Sequence, residues 1–173
     1  SFFVYSKAKP FNRRHVVAAV NHFTSRYGNT QLSKTDLYNI KSLQLNNLEY
    51  LPEADRIKFK SKKPIAKRFY QTPANLYEVH IKDFDLIVNP VIQYTISKES
   101  NNDQRLFLNT RGATVRGRIA NKIGFAAYIT DNQERPPSWV QSYTKAKLAV
   151  PGAGYYKQFK AAGGTDYFDA RGY

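Results

Sequence analysis

Two stretches of the chain alternate apolar and polar residues for longer than an ordinary strand requires. The first is FDLIVNPVIQYTI, residues 84–96, whose even positions are Phe84, Leu86, Val88, Pro90, Ile92, Tyr94 and Ile96. In the second, residues 113–129, one parity collects Ala113, Val115, Gly117, Ile119, Ile123, Phe125, Ala127 and Ile129. Alternate residues of a strand lie on the same face. Each stretch therefore predicts one long strand with an apolar face, and the turn residues KESNNDQ between them predict a hairpin.

The length of these stretches favours a membrane. Strands of globular proteins usually span about 5–6 residues, whereas a tilted transmembrane strand needs about 9–11. We therefore interpret residues 76–173 as the first strands of a transmembrane antiparallel β-barrel. The residues expected to face lipid are Ala113, Val115, Ile119, Ile123, Phe125 and Ile129. Aromatic residues near the ends of the stretches are typical of interfacial girdles, and these are Phe84, Tyr94, Phe107 and Tyr128. The alternative is a soluble α+β fold, in which the hairpin packs on helices.

Residues 1–75 predict a small helical segment, periplasmic or plug-like in the barrel interpretation. Pro10 suits a first helical position, and Gly28 ends the apolar pattern that follows it. Ser33 and Asp36 have the spacing of a capping box at the start of a second helix, which Pro52 interrupts. The basic run RIKFKSKKPIAKR then reads as a linker or an exposed face.

The C-terminal part of the chain contains residues that interrupt helices and strands. Residues 131–165 are rich in Pro, Gly and Ser and predict a long loop, with a short helix in GYYKQFKAAGG. DYFDARGY predicts the beginning of another strand.

Pro90, in the first alternating stretch, lacks an N–H group, so we expect it at a sheet edge, a bulge or a strand end.

Charge indicates an anionic partner. Lys and Arg total 27 against 13 Asp and Glu, for a formal net charge of +14. Lipopolysaccharide, acidic polysaccharide, anionic lipid and nucleic acid are all compatible with that surplus. The chain has no cysteine, which excludes disulfides and thiolate chemistry. No run approaches the roughly 20 apolar residues of a transmembrane helix.

The basic segment RGATVRGR could instead bind nucleic acid, within a soluble basic protein. Arg-Gly segments of that kind are poor in apolar residues, whereas here the arginines alternate with Val115 and Ile119. A sheet that binds nucleic acid also needs aromatic residues on its basic face for stacking, whereas Phe125 and Ile129 lie on the opposite face. We therefore expect Arg116, Arg118 and Lys122 to face a polar lumen and to contact an anionic glycan.

No residue pattern points to catalysis. His15, His22 and His80 have no metal-binding spacing. Neither a nucleophile elbow nor a phosphate loop is present. We expect no enzymatic activity, no metal and no cofactor.

Several phrases in order resemble one family. VNPVIQY, NTRGATVRGRIANKIGFAAYITDNQ, PPSWVQ, AVPGAGYYKQFK and DYFDARGY are similar to the N-terminal part of outer-membrane β-barrels of Bacteroidota, in the capsule-assembly (Wzi-like) and gliding-motility outer-membrane protein families. The resemblance covers roughly residues 84–173, and KPFNRRHV is similar to the segment that precedes the barrel there.

The resemblance implies a place in the bacterial outer membrane, among lipid, lipopolysaccharide and other outer-membrane chains. It further implies a non-enzymatic role in capsule or surface-polysaccharide attachment, or a structural role in an envelope assembly, secretion or motility machine. A barrel needs about eight strands or more, and the pattern predicts two and the start of a third. We therefore expect a fragment of a longer protein, or a sheet completed by other chains. If the N-terminus is periplasmic, two strands return loop 131–165 to the periplasmic side, where barrel turns are usually short.

Overall fold

A computed structural model of the chain describes residues 11–28, 31–159 and 163–172. The chain divides into two compact units, Ser1–Glu78 and Val79–Tyr173. The first unit is mostly helical and the second is built on one antiparallel sheet, so the protein is mainly β with few helices. Pro10, expected at the start of a helix, lies outside the described residues.

Two helices open the first unit. Helix α1 spans Arg13–Tyr27 and ends at Gly28, whose φ of 64° suits glycine. Helix α2 spans Lys34–Leu45 and begins with the predicted capping box, in which the Ser33 hydroxyl accepts from the Asp36 amide while the Asp36 carboxylate accepts from the Ser33 amide. Both predicted helix boundaries are confirmed.

A small core holds this unit together. Val17 of α1 packs with Leu48 and Leu51, all at most 5% exposed, and partly buried residues surround them. Leu48 belongs to a 3₁₀ turn, Leu48–Tyr50. Helix α3, Glu53–Arg56, and a second 3₁₀ turn, Ile57–Phe59, follow it. The basic run predicted to be a linker or an exposed face therefore begins inside a helix.

The second unit contributes most of a six-stranded sheet, and the unit boundary falls within its first strand. The strand order is β1-β2-β3-β4-β6-β5. The strands are β1 Tyr77–Ile81, β2 Phe84–Glu99, β3 Asn102–Ile119, β4 Ile123–Arg135, β5 Lys157–Phe159 and β6 Gly164–Gly172. Since β1 has five residues and β2 has sixteen, β1 reaches from their shared turn to about Val88. Pro90 lies beyond that reach, on an open edge of β2, where a missing N–H costs little.

The prediction of one long strand over 113–129 is wrong. The chain reverses at residues 120–122, so that Ile119 pairs with Ile123 and Ala113 with Ile129. Ala120 and Asn121 have φ values of 50° and 57°, and the Lys122 amide donates to the Ile119 carbonyl, as in a type I′ turn. Because residues 120–122 separate Ile119 from Ile123, odd-numbered residues lie on the same face before and after the turn. The residues predicted to share a face therefore still share it.

The two ends of the sheet differ. At one end lie the turns β1–β2 and β3–β4, joined where the Ala120 amide donates to the Asp83 carbonyl at 2.7 Å. At the other end lie the β2–β3 turn and helix α4, Ser138–Lys147, where the Glu99 carboxylate accepts from the Ser138 amide and hydroxyl at 3.1 and 2.8 Å. The long connection therefore lies opposite the short turns, not on their side.

Residues 131–165 are more ordered than the predicted long loop. Strand β4 continues to Arg135, α4 follows, and β6 already begins at Gly164. The short helix expected in GYYKQFKAAGG is instead strand β5 where that segment is described. Across the described part of the chain, no helix has the length and apolar character needed to cross a membrane.

Candidate functional site: the two faces of the sheet

The strand register defines two faces. The apolar face carries the even residues of β2, the odd residues of β3 and β4 and the even residues of β6, because residues opposite each other in antiparallel strands point to the same side. The polar face carries the remaining positions. Side chains on the polar face include Asp85, Asn89, Thr110, Thr114, Arg116, Arg118, Thr130, Asn132, Glu134 and Tyr167.

The buried side chains of the long strands lie on the polar face. In β2, β3 and β4 every buried side chain lies on it, and most are polar: Asp85, Ile87, Leu106, Thr110, Thr130 and Asn132. On the apolar face of these strands no side chain is buried, and Ile123 is 62% exposed. This distribution reverses that of an ordinary antiparallel sheet, whose apolar face packs on the core.

A cluster of Asp85, Arg118 and His80 lies at the short-turn end of the polar face. Asp85 is 4% exposed and accepts from Nε and Nη2 of Arg118 at 2.9 and 2.5 Å. The His80 Nδ1 atom lies 2.8 Å from the other Asp85 oxygen. Two side chains from neighbouring strands thus share one buried carboxylate, which satisfies its need for donors.

A neutral network lies farther along the same face. The Thr110 hydroxyl donates to Asn132 Oδ1 at 2.8 Å, and Asn132 Nδ2 donates to the Thr130 hydroxyl at 3.0 Å. These three residues are at most 5% exposed. The three buried side chains of this network therefore have partners across or along the strands, as stability requires.

Glu134 and Tyr167 form a titratable pair near the α4 end, beyond the apolar part of the sheet. Burial raises the pKa of the Glu134 carboxyl, and a hydrogen bond from the Tyr167 hydroxyl partly opposes that shift. Burial and the neighbouring Glu134 charge raise the pKa of Tyr167 to about 12. The tyrosine therefore stays neutral and donates at any ordinary pH.

The three basic residues predicted to contact a glycan do not form one site. Arg116 and Arg118 share the polar face, opposite Ile87 and Asp85. The charge of Arg118 is balanced by Asp85. Lys122 lies in the turn after β3 and is exposed, not on the face. Sequence reasoning missed Asp85 and His80, although Asp85 stands out as an acidic residue in an apolar run.

The residues predicted to face lipid do lie together. Ala113, Val115, Ile119, Ile123, Phe125 and Ile129 all belong to the apolar face. We call the part from the Phe84–Ile119–Ile123 level to the Pro90–Ala113–Ile129 level the apolar belt. Within it the Phe125 ring covers Gly117, where an added Cβ would fall 2.3 Å from the ring. Just past the belt Arg111 pairs with Asp131 at 3.2 Å, and Asn109 lies opposite Gln133.

Three of the four predicted girdle aromatics are on the apolar face, at its two ends. Phe84 lies at the short-turn end, and Tyr94 and Phe107 lie beyond the belt toward α4. Tyr128, the fourth, lies on the polar face, where it pairs with Thr114 and Arg171. Its position next to Ile129 in sequence places it on the opposite side of the strand.

A cavity that the sequence did not indicate lies at the α4 end. Its volume is about 210 Å³, and it lies between α4, the end of β4 and strands β5 and β6. Its lining comprises Arg135, Pro136, Gln141, Thr144, Lys145, Tyr156, Gln158, Gly163, Gly164 and Thr165. In the described ranges, no three His, Asp or Glu side chains cluster as metal ligands would.

Comparisons of the chain with protein-family models, with curated proteins and with solved structures found no match. The fold and the two faces are therefore the basis for any functional conclusion.

Proposed function

We propose that this chain forms part of the wall of a non-enzymatic β-barrel in a bacterial outer membrane. The observation that carries the proposal is the reversed sheet: in β2, β3 and β4 every buried side chain lies on the polar face, and the apolar face has none. Transmembrane barrels place apolar side chains toward lipid and polar ones toward the lumen. In this proposal the apolar belt contacts lipid, and the clusters around Asp85 and Asn132 line the interior.

The dimensions of the belt fit within a membrane. The belt, from Phe84 to Pro90, advances about 20 Å along the strand at 3.4 Å per residue, and the polar boundary at the Ile92 level lies about 27 Å from Phe84. With a tilt of about 40° these spans are about 16 Å and about 21 Å tall, both inside the roughly 25 Å band of outer-membrane barrels. The Arg111–Asp131 ion pair on the same face coincides with the Ile92 level and marks the polar boundary.

The ends of the sheet also support it. Barrels of this kind have short turns on the periplasmic side and longer loops on the cell-surface side. Residues 82–83 and 120–122 form short turns at the belt end, whereas β2 and β3 extend well past the belt toward α4. We therefore orient the short turns toward the periplasm and α4 toward the cell surface.

An open sheet cannot remain alone in a bilayer, because the backbone groups at its edges would have no partners in hydrocarbon. The edges here are β1 and β5. Further strands, from the rest of a longer protein or from neighbouring chains, would close the barrel. Because Asp85 balances Arg118, a structural role in a larger outer-membrane assembly is favoured over glycan attachment through Arg116, Arg118 and Lys122.

Fractionation of native cells tests this proposal. The protein should sediment with outer membranes, resist extraction at alkaline pH and require detergent for release. Recovery as a soluble monomer would contradict it. Binding to DNA that weakens steeply with added salt would instead favour the nucleic-acid function, since phosphate contacts release counterions.

A further inference from the structure

The cavity beside α4 has a lining suited to one chemical class of ligand. Among the described residues that line it, Arg135 and Lys145 are cationic and none is acidic. Neutral hydrogen-bonding groups complete it, on Gln141, Thr144, Tyr156, Gln158 and Thr165. Cations without carboxylates select an anion, and a ring of neutral donors and acceptors selects hydroxyl groups.

Thr144 supplies an independent sign of a missing partner. The residue is 2% exposed, and within the described part of the chain its hydroxyl has no hydrogen-bond partner. Helical hydroxyls commonly donate to the carbonyl four residues earlier, as Ser142 does to Ser138 at 3.0 Å. A buried hydroxyl without a partner is unfavourable, and this one lines the cavity.

The size of the cavity exceeds what a single water needs. One water occupies about 10–15 Å³ of such volume, against about 210 Å³ here. The space therefore suits a molecule of several heavy atoms. At one wall of the cavity, Gly164 of β6 lies close to the backbone of β4, because a Cβ at this position would fall 2.3 Å from the Glu134 carbonyl oxygen.

Arg135 is positioned before any ligand arrives. Its guanidinium lies 5.7 Å from the Phe107 ring centroid, and Nη1 donates to the Arg105 carbonyl at 3.2 Å. Nη2 is directed toward Gly163 in the cavity wall, 3.4 Å from where a Cβ would stand. A cation fixed in this way loses little freedom on binding, which favours affinity.

We propose that this cavity binds a small anionic polyol, a molecule with one carboxylate or phosphate and several hydroxyls. Arg135 and Lys145 face the anion, while Thr144 and the neighbouring amides and hydroxyls bind the hydroxyl groups. Such chemistry occurs in an acidic sugar of a polysaccharide and in the phosphorylated headgroup of lipopolysaccharide. The inference does not depend on the membrane proposal, because it uses only groups around the cavity.

Calorimetric titration of the intact purified protein tests the inference with D-galacturonate, glycerol 1-phosphate and neutral D-galactose. We expect saturable binding of at least one anion, at least tenfold tighter than galactose. Thr144→Val should weaken that binding about tenfold, equivalent to about 1.4 kcal/mol, without lowering the melting temperature. Ser142→Ala, which removes a hydroxyl from the same helix outside the cavity lining, is its control.

Lys145→Gln gives a second, surface-exposed variant that should fold normally. It should weaken anion binding about fivefold or more, whereas Lys147→Gln, two residues on along α4, should not. Oligogalacturonate and lipopolysaccharide, used as competitors, distinguish the two sources of the ligand. Failure of both anions to bind, equal binding of galactose, or equal losses in the control variants would overturn the proposal.

Discussion

Ile129→Arg separates a lipid-facing sheet from a water-facing one. Ile129 is 40% exposed and lies on the apolar face at the level of Pro90. In a water-soluble sheet, a surface substitution of this kind changes the unfolding free energy by only about 0.5 kcal/mol. In a bilayer an arginine costs about 2–4 kcal/mol at the midplane and about 0–1 at the interfaces.

The position of Ile129 sets the expected value. Val88 lies midway between the Phe84 level, where the apolar belt begins, and the polar boundary at the Ile92 level, so we place the bilayer midplane there. Along β2, Val88 is two residues from Pro90, which lies at the level of Ile129. That offset is about 7 Å along the strand and, with a tilt of about 40–45°, about 5 Å in depth. We therefore expect Ile129→Arg to destabilise the protein in lipid by about 2 kcal/mol, between the midplane and interface values.

Equilibrium unfolding in guanidinium, from phosphatidylcholine vesicles, measures this loss. The control is Ile96→Arg, on the same face and 56% exposed, but about 27 Å along the strand from Val88 and outside the belt. It should cost less than about 1 kcal/mol. Equal, small effects of the two substitutions would refute the assignment of the belt to lipid.

Three further predictions follow from the polar contacts. Thr110→Val removes the hydroxyl that donates to Asn132 and should cost about 1–3 kcal/mol in the same unfolding assay; an unchanged midpoint would argue against the network. Asp85→Asn removes the carboxylate that pairs with the partly buried Arg118 guanidinium, so it should cost about 3 kcal/mol, most of it recovered when Arg118 is also replaced by Met. Hydrogen bonds from Ser138 at the start of α4 lower the pKa of Glu99 below its ordinary value of 4.5. The stabilisation by the Glu99 carboxylate is therefore present above pH 4.5 and is lost as the pH falls through the lowered pKa of the folded protein. Emission of the single tryptophan, which lies in α4, should report that loss, and Glu99→Gln should abolish the transition; an identical pH profile in this variant would contradict the role of the carboxylate.

The sequence predicted the two faces better than it predicted the strands. Parity alone placed Ala113 and Ile129 on one face, and a three-residue reversal preserves parity, so the pattern could not reveal that the chain folds back. Alanine seldom adopts a positive φ, so Ala120 gave no turn signal, and only Asn121 pointed to one. Such turns usually carry Asn-Gly or Asp-Gly.

Helix α4 was missed for a different reason. It has no side-chain N-cap, because Pro137 precedes it. Its first amide is instead satisfied by Glu99, which lies 39 positions earlier in the chain. A cap supplied from another strand leaves no local motif. By contrast, the capping box at Ser33 is local, and it was predicted correctly.

The candidate site shows the same limit. Arg118 was recognised as a basic residue on a polar face, but its partner Asp85 is 33 positions away. The register of β2 on β3 decides that pairing, and no spacing in the sequence encodes it. The cavity beside α4 forms where α4, the end of β4, β5 and β6 meet, and no pattern in the sequence indicates it.

Lipid contact at two adjacent alanines tests the central claim most directly. Ala126 and Ala127 are consecutive in β4, are similarly half-buried and face opposite sides of the sheet. Because residues 1–173 contain no cysteine, Ala126→Cys and Ala127→Cys can each carry one fluorophore at a chosen position in the closed barrel, reconstituted in vesicles of brominated lipid after any cysteine outside these residues has been replaced by serine. We predict strong quenching of the probe at position 127 and little at position 126. Equal quenching of the two probes, or stronger quenching at 126, would contradict an apolar face that contacts the membrane.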